Sequence, residues 1–237
     1  MSTPAGPSAS DDDILVSSRS FLEYQAFFDL DPQRLPARIL DCCAGASGFV
    51  AEAQVRGVDA VAVDPIYSLD ADSLAVRLTA GAASGTSMID ANSDRFSFDW
   101  YGTPERRAEM RRLAQSAFLA DHRASPERYV DAALPELPFA DASFDLALCS
   151  HLLFTWATHL DEQWHVDALV ELCRVAAEVR VFPLVLQGAG RPVAFLPRLQ
   201  LHLREAFGIQ SEVVAVPYEF QVGAHHMLRL QRQDQAQ

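Results

Sequence analysis

The stretch that decides the fold is ARILDCCAGASGFVAEAQVRGVDAVAVD, residues 37–64. It begins with a short apolar run (37–42) between a proline and a glycine, a pattern typical of a buried strand. A helical pattern follows over 49–56 and ends at Gly57, a residue suited to a helix C-terminus. The run 58–64 predicts a second strand. Strand, helix and strand at this spacing indicate a right-handed βαβ unit with parallel strands.

The same alternation continues towards the C-terminus. Further strands are predicted over 128–132, 144–150, 178–185, 212–218 and 226–232, and helices over 69–83, 161–176 and 195–207. The short gap between the last two strands favours an antiparallel hairpin. The predicted fold is therefore α/β: a doubly wound Rossmann-like sheet, mostly parallel with an antiparallel edge strand, plus an N-terminal helix and a helical insertion.

Three segments lie outside this alternation. Residues 1–13 are small, polar and acidic and predict a flexible tail ahead of a single domain over 14–237. Residues 17–30 predict a cap helix, because an aromatic stripe recurs at helical spacing before Pro32. Residues 84–127 predict a mainly helical insertion.

Charge and composition limit the classes of function. Apolar residues make up 49% of the chain, enough for a core without a metal or a disulfide. The net charge of −13 argues against nucleic acid as a partner, because such a surface repels phosphate backbones. One basic run is predicted to be a solvated helix face, with a small positive patch as the alternative: Arg106, Arg107, Arg111 and Arg112.

The cysteines and the apolar runs bear on metals and compartment. None of the 4 cysteines has CxxC spacing, and no cluster of ligand-type residues requires a metal. The sequence shows no secretory signal pattern and no apolar stretch of about 20 residues, as a membrane span requires. We therefore expect a cytoplasmic protein with no membrane partner.

Acidic residues end the first two predicted strands. Asp41 precedes a run of small residues up to Gly48, where a ligand can approach the backbone and a helix start offers unpaired N–H groups. Asp41 can hold a cationic amine or a water. Asp64 stands where an acid meets a ribose diol in nucleotide-binding α/β domains, or else it only begins a turn before Pro65. Together the two acids favour nucleotide binding.

Residues 36–185 resemble the class I S-adenosylmethionine-dependent methyltransferases. The family's first loop reads acid-x-Gly-x-Gly-x-Gly, whereas Cys43 and Ser47 replace two of those glycines here. The block LPELPFADASFDLALCSHLLFTW (134–156) looks like the family's segment around its fourth strand. The nicotinamide fingerprint G-x-G-x-x-G fits the loop less well.

The resemblance implies S-adenosylmethionine as cofactor, a lid formed by the insertion 84–127, and a set of binding positions. These are Asp41, Cys43, Gly45, Gly48, Asp64, Pro65, Ile66, Ala133, Leu134 and Ser150. Ala133 falls where the family has an acid against adenine, so backbone groups there, or Asp131 after a local shift, would bind the base. Glu171 and Arg174 match a family helix motif and are expected to be structural.

Candidates for acting on the substrate follow the fourth strand. His151 is the tentative catalytic residue, as a general base, because histidine titrates near neutrality; its alternative is a histidine that binds backbone. The predicted substrate pocket is aromatic, with core packing as the alternative for each ring: Tyr24, Tyr67, Trp100, Tyr101 and Trp156.

These observations predict a methyltransferase acting on a small molecule, such as a natural-product intermediate. One alternative is a cyclase that consumes S-adenosylmethionine and releases methylthioadenosine and a cyclic amino acid. The other is a protein that binds the cofactor without turnover.

Overall fold

A computed structural model of the chain describes residues 16–188 and 190–232. The predicted flexible tail, residues 1–13, lies outside the described residues. The lid role of residues 84–127 and the single-domain boundary stay predictions.

The centre of the molecule is a 7-stranded sheet in the order β3-β2-β1-β4-β5-β7-β6. Its strands are β1 (Arg38–Cys42), β2 (Asp59–Val63), β3 (Tyr129–Val130), β4 (Phe144–Ser150), β5 (Ala176–Phe182), β6 (Ile209–Ala215) and β7 (His226–Arg232). Strands β1 to β5 run parallel to one another, and β7 lies antiparallel between β5 and β6. The predicted fold class, with its antiparallel edge hairpin, is confirmed.

Helices cover both faces of this sheet. They are α1 (Phe21–Phe28), α2 (Phe49–Val55), α3 (Ala71–Ala91), α4 (Pro104–Ala124), α5 (Glu162–Val175) and α6 (Leu196–Phe207). Successive strand residues point to opposite faces. Ile39 and Leu146 therefore join the apolar layer that α1 and α2 cover, while Leu40 and Ala147 join the layer beneath α5 and α6.

The cap helix α1 is shorter than the predicted span 17–30. Ser20 accepts a hydrogen bond from the backbone N–H of Glu23, and the Glu23 carboxylate accepts one from the backbone N–H of Ser20, at 2.7 Å. This capping box begins the helix at Phe21. Residues 16–20 are not helical and lie across the loop after β1; we call them the N-terminal strap.

The third helix is longer than predicted. It continues from Ala71 to Ala91, so the predicted end of the helix at residue 83 is wrong. Gly81 lies within the helix, where a Cβ would stand 2.5 Å from the carbonyl oxygen of Val16. The missing side chain at Gly81 therefore allows the helix to pack closely against the strap.

Candidate functional site

Two adjoining cavities open at the carboxyl ends of β1, β2 and β4. The large cavity has a volume of about 990 Å³, and the small cavity has a volume of about 330 Å³. Val16, Ser17, Arg19 and His151 border both. Open α/β sheets bind ligands at this edge, outside the carboxyl ends of their strands.

Most of the predicted cofactor-binding positions border the large cavity. They are Cys43, Gly45, Asp64, Pro65, Ile66, Ala133, Leu134 and Ser150. Leu152, Leu160 and Trp164 extend this wall beyond the end of β4. The structure thus brings together residues from three separate loops that the resemblance had implied one by one. Their contact with a cofactor stays a prediction.

Asp64 joins the first two loops of the site. Its carboxylate accepts a hydrogen bond from the backbone N–H of Gly45 at 2.9 Å and another from that of Ile66 at 3.0 Å. The second bond caps the short 3₁₀ turn Pro65–Ser68, so the turn-forming role considered for Asp64 is observed. These bonds also fix the carboxylate at the wall of the large cavity.

Asp41 lies fully buried at the end of β1. The Tyr24 hydroxyl donates to its Oδ1 at 2.8 Å, and its Oδ2 is buried without a hydrogen-bond partner among the described residues. Burial raises the pKa of this carboxyl well above its ordinary value. A buried carboxylate with one unsatisfied oxygen favours a nearby cation, which agrees with the amine-binding role predicted for Asp41.

The loop after β1 does not offer the unpaired N–H groups that the sequence suggested. The N–H of Ala46 donates to the carbonyl of Ser17 at 3.3 Å, and that of Gly48 donates to the carbonyl of Arg19 at 2.9 Å. The strap therefore already occupies these donors. Gly48 packs against α4, where a Cβ would stand 3.1 Å from the Ala114 backbone. In the structure this glycine therefore allows α4 to pack closely against the loop.

Cys43 occupies the position of the family's first glycine. It has a φ of 59°, in the left-handed region that glycine adopts more easily. Its Sγ lies 3.7 Å from that of Cys42. Hydrogen bonds from the thiols of Cys149 and Cys42 lower the pKa of Cys43.

His151 stands at the junction of the two cavities. Its backbone also lies in the left-handed region, at a φ of 58°, and its N–H donates to the Phe182 carbonyl at 2.7 Å. The ring Nδ1 is buried without a hydrogen-bond partner among the described residues. Burial lowers the pKa of His151 well below its ordinary value, and the charges of Arg19, Arg111 and Arg107 lower it further. The ring is therefore neutral at neutral pH.

Only Trp156 of the predicted substrate-pocket residues borders the small cavity. Tyr24 lies in the core beside Asp41, and the Tyr67 hydroxyl donates to the Gly45 carbonyl at 2.8 Å. Tyr101 is fully buried, with its hydroxyl against Glu23, and Trp100 packs on its ring. For these four rings the structure shows the alternative, core packing.

Sequence reasoning missed the charged side chains behind the small cavity. Arg107 and Arg111 stand one turn apart on α4 and border that cavity, so the expectation of a solvated face is wrong for them. Arg111 forms an ion pair with the buried Glu23, at 2.8 Å from Nε to Oε1. The i, i+4 spacing of the two arginines was the available signal. Arg106, in contrast, is exposed.

Glu171 and Arg174 hold the segment before β4. The Glu171 carboxylate accepts a hydrogen bond from the backbone N–H of Leu137 at 2.7 Å and binds Arg174 through both oxygens. Arg174 also donates to the carbonyls of Phe139 and Leu137. The expected structural role of this pair is what the contacts show.

The described residues contain neither a group placed to hold a metal ion nor a helix suited to cross a membrane. No group of three or more His, Cys, Asp or Glu in residues 16–188 and 190–232 is placed to hold a metal ion. Within the same ranges, no helix has both the length and the apolar character needed to cross a membrane.

Comparison with known proteins adds a family. The model of the methyltransferase domain family matches residues 102–178. An uncharacterized protein of Methanocaldococcus jannaschii, MJ0045, is 26% identical over 221 residues, which cover 93% of this chain and 97% of that protein. The family match confirms the predicted resemblance to methyltransferases and the predicted enzyme class, a transferase.

Solved methyltransferases are also similar to this chain. The 1,6-didemethyltoxoflavin-N1-methyltransferase of Burkholderia thailandensis is 16% identical, with a TM-score of 0.43, over 84% of this chain and 72% of that one. That structure contains 1,6-didemethyltoxoflavin and S-adenosylhomocysteine. A SAM-dependent methyltransferase of Aquifex aeolicus is 16% identical, with a TM-score of 0.44, over 88% of this chain and 92% of that one.

Proposed function

We propose that this chain, which resembles the S-adenosylmethionine-dependent methyltransferases, transfers a methyl group from S-adenosylmethionine to a small molecule. The observation that carries the proposal is the pair of adjoining cavities with a common wall at Arg19 and His151. A donor in the large cavity and an acceptor in the small cavity would meet at that wall.

The residues of the large cavity fit the parts of the donor. Asp64 is held where it can accept hydrogen bonds from a ribose diol. Pro65, Ile66 and Leu134 supply an apolar wall for adenine. The buried Asp41, with its unpartnered Oδ2, lies behind the loop that would hold the methionine ammonium, and a cation bound there would favour the charged form of this carboxyl. The volume of about 990 Å³ lies in the range of small-molecule sites.

The chemistry asks little covalent help of the protein. S-adenosylmethionine, when bound, supplies a methyl group already activated by a sulfonium. The chain has to position the acceptor and exclude water. His151 is our candidate for receiving a proton from a hydroxyl or amine acceptor, since its Nδ1 is buried, neutral and without a partner among the described residues. Its lowered pKa means that it would pass such a proton on rather than retain it.

The small cavity favours methyl transfer over the cyclase alternative. In a cyclase, the donor's own amine attacks the donor's side chain, so no room is needed for a second substrate. Here a separate space of about 330 Å³ adjoins the large cavity, with Phe96, Trp156 and Phe220 among its lining residues. A second substrate accounts for that space.

The test begins with the purified protein and S-adenosylmethionine alone, followed by mass spectrometry. We expect the donor to remain intact until an acceptor is added, and then to yield S-adenosylhomocysteine. Methylthioadenosine formed from the donor alone would refute methyl transfer in favour of the cyclase. Calorimetric titration with S-adenosylhomocysteine provides the second readout, and an absence of binding would refute the proposed use of the large cavity.

A further inference from the structure

The small cavity is lined by cationic side chains and no acid. Arg19, Arg107, Arg111 and Arg112 border it, whereas no aspartate or glutamate among the described residues does so. The net charge of the whole chain is −13, so a cavity lined by arginines and no acid differs in charge from the protein as a whole. Arg112 is exposed and pairs with Glu109, which leaves the other arginines as the buried group.

Among residues 16–188 and 190–232, a single carboxylate lies behind these buried arginines. Glu23 is fully buried, with its Oε1 2.8 Å from Nε of Arg111 and 3.9 Å from a terminal nitrogen of Arg19. His151 is neutral, because burial and the surrounding guanidinium groups lower its pKa. One negative charge therefore faces the positive charges of Arg19, Arg107 and Arg111. Buried charges are normally paired, so this excess of positive charge favours the binding of an anion.

Arg107 shows the excess most clearly. Its side chain makes no hydrogen bond or ion pair with the residues the structure describes, and its Nε is buried. The guanidinium lies over the Phe220 ring, at 4.5 Å from the centroid. This cation–π contact uses none of the N–H donors of the guanidinium, which therefore remain for a ligand. A guanidinium held in this way can bind both oxygens of an oxyanion.

The donor does not account for this charge. Arg19 borders both cavities and can serve the carboxylate of the donor's methionine portion. Arg107 and Arg111 border the small cavity alone. Their charge is therefore directed at whatever occupies the small cavity.

We propose that the acceptor carries an oxyanion, a carboxylate or a phosphate, on a flat apolar body. The proposal rests on the proposed function, because it assigns the second substrate to the small cavity. Arg107 and Arg111 bind the oxyanion, and aromatic side chains pack against the body of the acceptor. These side chains are Phe96, Trp156, Phe182, Tyr218 and Phe220.

The experiment uses three probes that carry a phenyl ring: benzoate, its neutral isostere benzamide, and phenyl phosphate. Each is titrated calorimetrically into the whole protein, with and without saturating S-adenosylhomocysteine. We expect at least one of the two anions to bind about tenfold or more tightly than benzamide, because charge-assisted bonds exceed neutral ones. The comparison of benzoate with phenyl phosphate identifies the type of oxyanion. Benzamide binding as tightly as both anions would overturn the proposal.

Variants on one helix provide the control. Arg107→Gln should weaken anion binding about tenfold or more, whereas Arg123→Gln, an exposed position on the same helix, should leave it unchanged. Neither variant should change the affinity for S-adenosylhomocysteine. If Arg107→Gln does not fold, Arg107→Lys keeps the charge and the stem but loses the planar fork. Unchanged anion binding in the folded variant overturns the proposal.

The two proposals fail in different ways. A protein that does not bind S-adenosylhomocysteine refutes the proposed donor site, while the benzoate titration still decides whether the arginine cavity takes an anion. A protein that binds S-adenosylhomocysteine and shows no preference for the anions refutes the oxyanion and leaves the donor site in place.

Discussion

The sharpest test of the donor site is the substitution Asp64→Asn. In the structure the Asp64 carboxylate accepts hydrogen bonds from the N–H groups of Gly45, at 2.9 Å, and Ile66, at 3.0 Å. Asparagine has nearly the same shape and keeps one acceptor oxygen, so the cap of the Pro65–Ser68 turn can be retained. It loses the negative charge and places an amide donor where the second oxygen stood.

The expected loss in donor affinity follows from this change. A ribose diol bound by a carboxylate makes charge-assisted hydrogen bonds, each worth roughly 1.5–3 kcal/mol. The asparagine side chain would keep one acceptor and lose the charge, so about one such bond is lost. The dissociation constant for S-adenosylhomocysteine should therefore rise roughly 10- to 150-fold, since each 1.4 kcal/mol is about a factor of ten.

Isothermal titration calorimetry measures this loss directly, with Asp59→Asn as the matched control. Asp59 is the first residue of β2, the strand that Asp64 follows, and lies at the end of the sheet opposite the cavities. Its side chain is 61% exposed beside Arg38. We expect the control to bind as the unchanged protein does. Equal affinity in the folded Asp64→Asn variant, or an equal loss in the control, would remove Asp64 from the donor site.

Three further substitutions test the buried charges. Asp41→Asn keeps an acceptor for the Tyr24 hydroxyl but removes a carboxyl whose pKa is raised by burial. In the unchanged protein this carboxyl makes stability fall as pH rises above the ordinary carboxyl range, and calorimetric scans of the variant should not show that fall. Donor binding should also be weaker. Burial lowers the pKa of His151, so as pH falls through about 6.5 the unfolded chain gains a proton on this ring that the folded chain does not gain. Thermal stability should therefore decline over this pH range, and it should decline less steeply in His151→Gln. Glu171→Gln should cost about 1–3 kcal/mol in urea unfolding, because Arg174 and the Leu137 N–H lose a charged partner.

Local patterns were sufficient for most of the sheet. The run 144–150 was predicted from a continuous apolar stretch, and β4 spans Phe144–Ser150. The run 226–232 likewise matches β7. A buried parallel strand needs apolar residues on both faces, so its signal lies entirely in its own residues. The antiparallel hairpin followed from the short connection before β7.

Long-range packing explains what the sequence did not predict. The helix predicted over 69–83 continues to Ala91, and the missing side chain at Gly81 accommodates the strap at Val16. Arg107 and Arg111 belong to a charge run that is usually solvated, yet both border the small cavity, and Arg111 pairs with Glu23, which is distant in the sequence. The Tyr101 hydroxyl likewise donates a hydrogen bond to Glu23, 78 residues away in the sequence. None of these pairings leaves a signal in a short window of sequence.

The altered glycine pattern of the first loop has a physical explanation in the same packing. Gly45 and Gly48 are retained where a Cβ would stand 3.0 Å from the Ser17 carbonyl oxygen and 3.1 Å from the Ala114 backbone, so the strap and α4 each require a glycine. At the replaced positions side chains make contacts of their own. The Ser47 hydroxyl accepts from the backbone N–H of Phe49 at 3.0 Å, and the Cys43 thiol lies against its neighbouring cysteine. The loop therefore keeps glycine where neighbouring backbone approaches and replaces it where a side chain can bind.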